Sequence, residues 1–242
     1  MSQNIEAIFL DTGNTLRVVV EDAALQENAR QQLAKLVGTE EAPEAFYKRL
    51  DERHTAYKKL AKGTLLQVSE LELWTRWLLP DYPVDKIAPL ISQLMPLWHN
   101  RHGRVVPRPD AKQTIIALNK RGYHLGIIAN ALSETEIPNW LEADGLTQYF
   151  KTVVLSSKFG WRKPDRNIFL EAAYLIGINP AHCAYVGDNP NRDIQGARQA
   201  GFGMVVILLE QAMLEKEPAG AKYKPDANIQ KLNDLLNLFP AR

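Results

Sequence analysis

A short apolar run, Ile8-Phe9-Leu10, ends in a single carboxylate, Asp11, and the next strand-like run comes only after residue 104. From there onward short apolar runs alternate with helical stretches, an order that builds a parallel sheet with helices on both faces. The chain in between reads as helix throughout. An interruption placed directly after the first strand of such a pattern has one economical solution. Residues 1–17 and 105–242 form a doubly wound α/β core, and residues 18–104 are a helical domain inserted above it. Ligands of these sheets bind beyond the carboxyl ends of the strands. Asp11 would stand there, which makes it a candidate nucleophile. The linkers near 17–22 and 101–107 would then be the hinges of a lid that excludes water and selects substrate.

The inserted block carries four apolar stripes at helical spacing. Leu25, Ala29, Leu33 and Leu36 precede Gly38; Phe46, Leu50, Tyr57 and Leu60 precede Gly63; each glycine is an expected C-cap. Leu71, Trp74, Trp77 and Leu78 follow Ser69 as N-cap, and Ile87, Leu90 or Ile91, Leu94, and Leu97 or Trp98 make the fourth stripe. Such helices form a small bundle in which Trp74 and Trp77 are core residues; the place of Trp98 is left open. In the core, Asp110 is the expected N-cap of a helix that stops at Gly122. Strands are expected at Tyr123 to Ala129, Thr152 to Leu155, Cys183 to Val186 and Gly203 to Leu208. Helices should fall near 134–144, 166–176 and 192–200, with an edge element from Lys224 to Ile229.

Bulk properties exclude several classes. A chain of 242 residues that is 45% hydrophobic buries a full core, and 29 basic against 28 acidic side chains leave no broad field for nucleic acid or an anionic membrane. The one cysteine, Cys183, lies in an apolar run and reads as a buried structural thiol. No apolar run approaches the roughly 20 residues of a membrane span, and no secretory leader is evident, so a cytoplasmic protein is expected.

Four separated segments place polar groups at strand ends. Asp11 closes the first strand, where an isolated Asp also serves as a turn former or helix cap. Asn130 follows the strand ending at Ala129 and can donate its amide to an anionic oxygen. Lys163 stands before Pro164 on a loop, a fixed positive point for a phosphate or a buried carboxylate, although a loop lysine is more often solvated surface. Gly187-Asp188-Asn189 through Asp193 puts two carboxylates around an Asn/Pro turn, a hard-oxygen donor set suited to Mg²⁺. Taken alone, Asp193 reads as the cap of the next helix.

In order and spacing these segments resemble the haloacid dehalogenase superfamily over nearly the whole chain. Asp11-Thr12-Gly13-Asn14 is similar to motif I, Asn130 to the Asn beside motif II, Lys163-Pro164 to motif III, and Gly187-Asp188 with Asp193 to motif IV. Gly145 to Phe150 and Gly196 to Gly201 resemble the subclass with a helical cap inserted after motif I. The resemblance implies a nucleophilic Asp11, a Mg²⁺ held by Asp11, Asp188 and the Gly13 carbonyl, and a Lys163 that offsets the crowded negative charge. Thr12 and Asn130 become candidate phosphate contacts, with Asp193 and Asn189 behind the metal ligands.

Two positions depart from that pattern. Gly13 replaces the second motif I Asp, the general acid/base, a group that typically contributes on the order of 10² to 10⁴ in rate. Ala129 replaces a Ser or Thr that donates to the phosphoryl group. Dehalogenase-like members of the family also lack the second Asp, but they lose the carboxylate that Asp188 retains here. Phosphonatase-like members use a cap lysine, and no spacing singles out Lys58, Lys59 or Lys62, which read as a solvated helix face. A DxGN form of motif I occurs among phosphatase-like members, and Asp11 to Asn14 match it. Of the five histidines only His99 and His102, near the returning hinge, could reach the cleft between lid and core, with a surface or hinge place expected for both; Arg17, Arg104 and Arg108 are expected as linker charges that can meet an anion. The expectation is a Mg²⁺-dependent phosphoric monoester hydrolase for a small phosphorylated metabolite, slowed or narrowed by Gly13 and Ala129. The alternative is a phospho-ligand binding module that has lost turnover.

Overall fold

The computed structural model describes residues 4–209 and 224–242. The expected core range also includes residues 1–3 and 210–223, which lie outside the described residues. In chain order the strands are β1 (Ala7–Leu10), β2 (Arg17–Val20), β3 (Arg104–Pro107), β4 (His124–Ala129), β5 (Phe150–Leu155), β6 (Cys183–Gly187), β7 (Met204–Leu208) and β8 (Ala227–Ile229). Six of them form one sheet ordered β5-β4-β1-β6-β7-β8, in which every neighbouring pair is parallel. The chain leaves β1 toward β4 and β5, then returns to its other side with β6. β1 therefore sits where the winding reverses, and its carboxyl end opens into the crevice between the two halves.

Strand alternation explains the two apolar layers. Ile8, Leu10, Leu125, Ile127, Ala184 and Val186 face one cluster, while Ala7, Phe9, Ile128, Cys183 and Tyr185 face the other. Runs buried on both faces read as continuous apolar stretches, which is why the central strands were visible in sequence. Helices α6 (Ala111–Lys120), α7 (Glu136–Ala143), α8 (Ser156–Phe159), α9 (Arg166–Leu175) and α10 (Gln195–Gln199) belong to this α/β part, but Asp110 does not cap α6. Its carboxylate accepts instead from the Asn233 N–H at 3.1 Å, joining α6 to the C-terminal segment.

Between β2 and β3 lie α1 (Ala23–Val37), α2 (Pro43–Thr64), α3 (Glu70–Glu72, continued by a wider turn over Leu73–Leu78), α4 (Val84–Ile87) and α5 (Ile91–Asn100). They share a separate apolar cluster built on Phe46, Leu50, Tyr57, Trp74, Leu94 and Trp98. Trp74 and Trp98 are fully buried and Trp77 packs against the cluster. Gly38 caps α1 in the left-handed region (φ 67°), as expected, but α2 runs through Gly63 and ends at Leu65 (φ 60°). The reason is the next contact. Leu65 O accepts from Arg162 N and Gln67 N donates to Gly160 O, both at 2.9 Å, so the chain leaving α2 is docked beside the Lys163 loop.

The expected hinge linkers are not free chain. Arg17–Val20 and Arg104–Pro107 pair as an antiparallel ribbon, with Arg17 opposite Pro107 and Val20 opposite Arg104. The ribbon joins both crossings between the helical block and the sheet. Its long-range pairing leaves little local trace in a four-residue run.

Candidate active site

β1 and β6 are hydrogen-bonded neighbours, and Asp11 N donates to Val186 O at 2.9 Å, so Asp11 and Asp188 leave the sheet side by side. The segment Pro190–Ile194 then folds back and brings in Asp193. One carboxylate oxygen from each of Asp11, Asp188 and Asp193 falls within 4.8 Å of the others, and all three residues are buried. Gly187 makes this packing possible. A Cβ there would lie 2.3 Å from Asp193 Oδ2, far inside contact distance.

Two cations offset part of the charge of the three acids. Lys163, with no side-chain exposure, places Nζ 3.0 Å from Asp11 Oδ1 and 3.0 Å from Asp193 Oδ1, and also donates to the Tyr185 hydroxyl. Arg192 spans all three acids. Its Nη2 lies 2.8 Å from Asp11 Oδ2 and 3.0 Å from Asp188 Oδ1, and its Nε is 3.3 Å from Asp193 Oδ1. Burial alone would depress the Arg192 guanidinium, yet the surrounding carboxylates hold its pKa above the usual value. Burial, then the charge on Asp11, pushes the Asp188 carboxyl up to about 6 against the pull of Arg192. Burial opposes ionisation of Asp193, but Lys163 and Arg192 hold it below the ordinary carboxylate range. Tyr185, buried beneath, is raised well above the usual phenol value by burial and by Asp193.

The remaining expected residues take specific places. Thr12 N donates to Asp11 Oδ1 at 2.8 Å, orienting the carboxylate, and Asn14 Nδ2 donates to Asp188 Oδ2 at 3.1 Å. Arg108 donates to Asn14 O at 2.7 and 3.0 Å and holds that turn. Asn130 clamps the backbone of Lys163, accepting from Lys163 N at 2.7 Å and donating to Lys163 O at 3.0 Å. One of its amide hydrogens is thereby taken by a carbonyl instead of an anionic oxygen. Asn189 Oδ1 accepts from Arg192 N at 3.0 Å, so Asn189 is the N-cap, and Asp193 Oδ2 accepts from Asn189 N at 3.0 Å in return. The other oxygen of Asp193, Oδ1, faces Lys163. Arg104 pairs with Asp22 at 2.6 Å on the exterior.

A cavity of about 340 Å³ opens over the loops after β1 and β4, walled by Thr12, Gly13, Asn14, Asn130 and Ala131 on one side and by Arg17, His99, Arg101 and His102 on the other. His99 and His102, near the returning linker, thus line the cavity. His99 Nδ1 lies 2.5 Å from Glu136 Oε2. Burial would raise the Glu136 carboxyl, but His99 beside it holds it below the ordinary range. Sequence reasoning passed over Arg192, Tyr185 and Arg101. Arg192 was legible in principle, as a basic side chain one helical turn from Asp188 and next to Asp193. Tyr185 and Arg101 looked like an ordinary strand aromatic and a linker charge.

A Mg²⁺-type ion suits this donor set. The oxygens are hard, they converge, and they already grip a positive group in Arg192. Asp11 and Asp188 with the Gly13 carbonyl are the residues that could hold it.

The sequence model of the family described as haloacid dehalogenase-like hydrolase matches residues 36–207, well over half of the chain. The chain belongs to that family. Among curated relatives, the glyceraldehyde 3-phosphate phosphatase of Methanopyrus kandleri is 30% identical over 156 residues, covering 64% of this chain and 66% of the relative. The enzyme of the same name from Methanothermobacter thermautotrophicus is 34% identical over 131 residues, 53% of this chain and 57% of the relative. The matched stretches therefore span less than two thirds of these relatives. Among solved structures, a 2-haloacid dehalogenase from Pseudomonas syringae superposes with a TM-score of 0.69 at 24% identity, covering 97% of both chains, which shows the shared haloacid dehalogenase-like fold. Among the described residues no helix is long and apolar enough to cross a membrane.

Proposed function

We propose that the protein is a phosphoric monoester hydrolase that acts on a small phosphorylated metabolite through a phosphoryl group carried on Asp11, with α1 to α5 as the lid. The observation that carries this reading is the convergence of Asp11, Asp188 and Asp193 with Lys163 at the point where the sheet's winding reverses. An Asp11 carboxylate oxygen attacks phosphorus and the bond to the ester oxygen breaks. The departing alkoxide takes its proton from water, since Gly13 has none to give. Water then attacks the phosphoryl-aspartate, releasing phosphate, restoring the Asp11 carboxylate and leaving a proton to solvent. Thr12 N and Lys163 orient Asp11, and Lys163 offsets the charge that builds on the phosphoryl oxygens. Mg²⁺ held by Asp11, Asp188 and the Gly13 carbonyl would add Lewis-acid stabilisation of that charge. The phosphatase relatives support the same chemistry over the part of the chain they match.

The test is release of nitrophenol from 4-nitrophenyl phosphate, with and without Mg²⁺, by the natural protein and by Asp11→Asn. An aryl leaving group needs little protonation, so the missing acid does not obscure the result. Activity that depends on both Asp11 and Mg²⁺ is expected; turnover that survives Asp11→Asn refutes the reading. A second reading, phospho-ligand binding without turnover, draws on the hold Arg192 has on Asp11 Oδ2. Mg²⁺-dependent phosphate binding with no hydrolysis across a broad ester panel would favour it.

A further inference from the structure

Two guanidinium groups line the cavity with no carboxylate of the described residues within 4.0 Å, Arg101 after α5 and Arg17 on β2. Arg101 stacks on Trp98, with Cζ 3.9 Å from the ring centroid, and donates to Trp98 O at 2.7 Å; its Nη2 lies 3.3 Å from His54 Nδ1. Its Nε is buried with no partner. Arg17 donates to Val105 O at 3.0 Å and stacks on Trp140 with Cζ 5.0 Å from the centroid, and its Nε is likewise buried and unpartnered. Among the described residues neither makes an ion pair within 4.0 Å, whereas the more exterior Arg49, Arg53 and Arg104 all hold carboxylates. The cavity's own acid, Glu136, lies against His99, and it and Asp144 act on Arg17 only from beyond 4.0 Å. Burial works against the charge on both arginines. A buried, unpaired charge is costly unless something pairs with it, and a planar, stacked guanidinium is pre-arranged for an oxyanion. Val19, Val105, Ala131, Leu132 and Ile137 line the same cavity and give it an apolar wall for a short linker.

We propose that Arg101, assisted by Arg17, is a subsite for a second oxyanion of the substrate, so that the preferred substrates are small phosphomonoesters bearing a carboxylate or a second phosphate. The inference rests on the phosphoryl site read above. The test is calorimetric binding, in Mg²⁺, of three non-hydrolysable ligands to the full chain: propylphosphonate, 3-phosphonopropionate and ethane-1,2-diphosphonate. The second oxyanion is expected to tighten binding at least tenfold in the natural protein, and Arg101→Met to cut that gain below threefold. A gain for only one of the two dianions would assign the oxyanion to that chemistry. Equal affinity for propylphosphonate and both dianions would overturn the subsite while leaving the phosphoryl site standing. No binding of any of the three would overturn the phosphoryl site and the subsite with it. A full gain retained in a folded Arg101→Met would also refute the assignment; were that variant not to fold, the comparison in the natural protein still decides.

Discussion

Replacing Arg192 by Gln should make the protein bind a divalent cation more tightly. The guanidinium sits 2.8 Å from Asp11 Oδ2 and 3.0 Å from Asp188 Oδ1, on carboxylates that a metal ion would have to use. A cation entering there must release two charge-assisted hydrogen bonds, each worth about 1.5–3 kcal/mol. The Arg192 side chain is 30% exposed, so it can swing toward water and recover part of that by hydration. A net competition of about 1.5–3 kcal/mol remains, or roughly 10-fold to 150-fold in Kd. Removing Arg192 also leaves Asp11 and Asp193 to Lys163 and Asp188 with no ion pair among the described residues, so the metal-free variant should melt lower and gain more from added metal. Calorimetric titration of Mg²⁺ or Mn²⁺ into both proteins, with melting curves beside it, reads the two effects without any substrate. Unchanged or weaker metal affinity in a folded Arg192→Gln would refute the idea that guanidinium and metal compete for the same oxygens.

Gly13→Asp should restore a proton donor, since a Cβ at Gly13 meets no atom within 4 Å and the backbone there admits a side chain. Alkyl phosphate turnover should rise by about 10² or more while aryl phosphate turnover changes little, and equal effects on both would count against the missing-acid argument. Lys163→Met should cost up to about 3–5 kcal/mol in urea unfolding, since it removes the fully buried cation between Asp11 and Asp193 and leaves both to Arg192; a loss below about 1 kcal/mol would show that Lys163 does not pair with them as described. His54 is pushed down to about 3, first by burial and then by Arg101. The unfolded chain therefore takes up a proton that the folded one refuses as pH falls below about 6.5, and stability should decline by up to about 1.4 kcal/mol per unit between there and pH 3. His54→Gln should flatten that limb in pH-dependent melting, and an unchanged slope would refute the assignment.

The sheet was legible because its central strands are buried on both faces. Ile8 to Leu10 and Ala184 to Val186 must be apolar at every position, whichever face they point to. The four polar segments were legible for a related reason, since a parallel sheet delivers each strand end to one edge. Asp11, Asn130 and Asp188 could be placed at that edge with no knowledge of their distances, and Lys163 by its resemblance to motif III. What their side chains do there was another matter. The amide of Asn130 serves the Lys163 backbone, Asn189 takes the cap assigned to Asp193, and the supposed hinges pair as a ribbon. Arg101 gave no sign of its place, Arg17 was read only as a linker charge that can meet an anion, and Arg192 was passed over despite its spacing from Asp188, because a charged residue in a loop or linker looks the same whether water or a buried carboxylate receives it. Local pattern determined the order of elements, the family and the residues gathered at the edge, since those follow from periodicity and from motifs within single segments. Tertiary structure alone decided which cation holds which carboxylate and which arginines remain without a counterion, because those pairings depend on distances between segments as much as 181 positions apart, as Arg192 and Asp11 are.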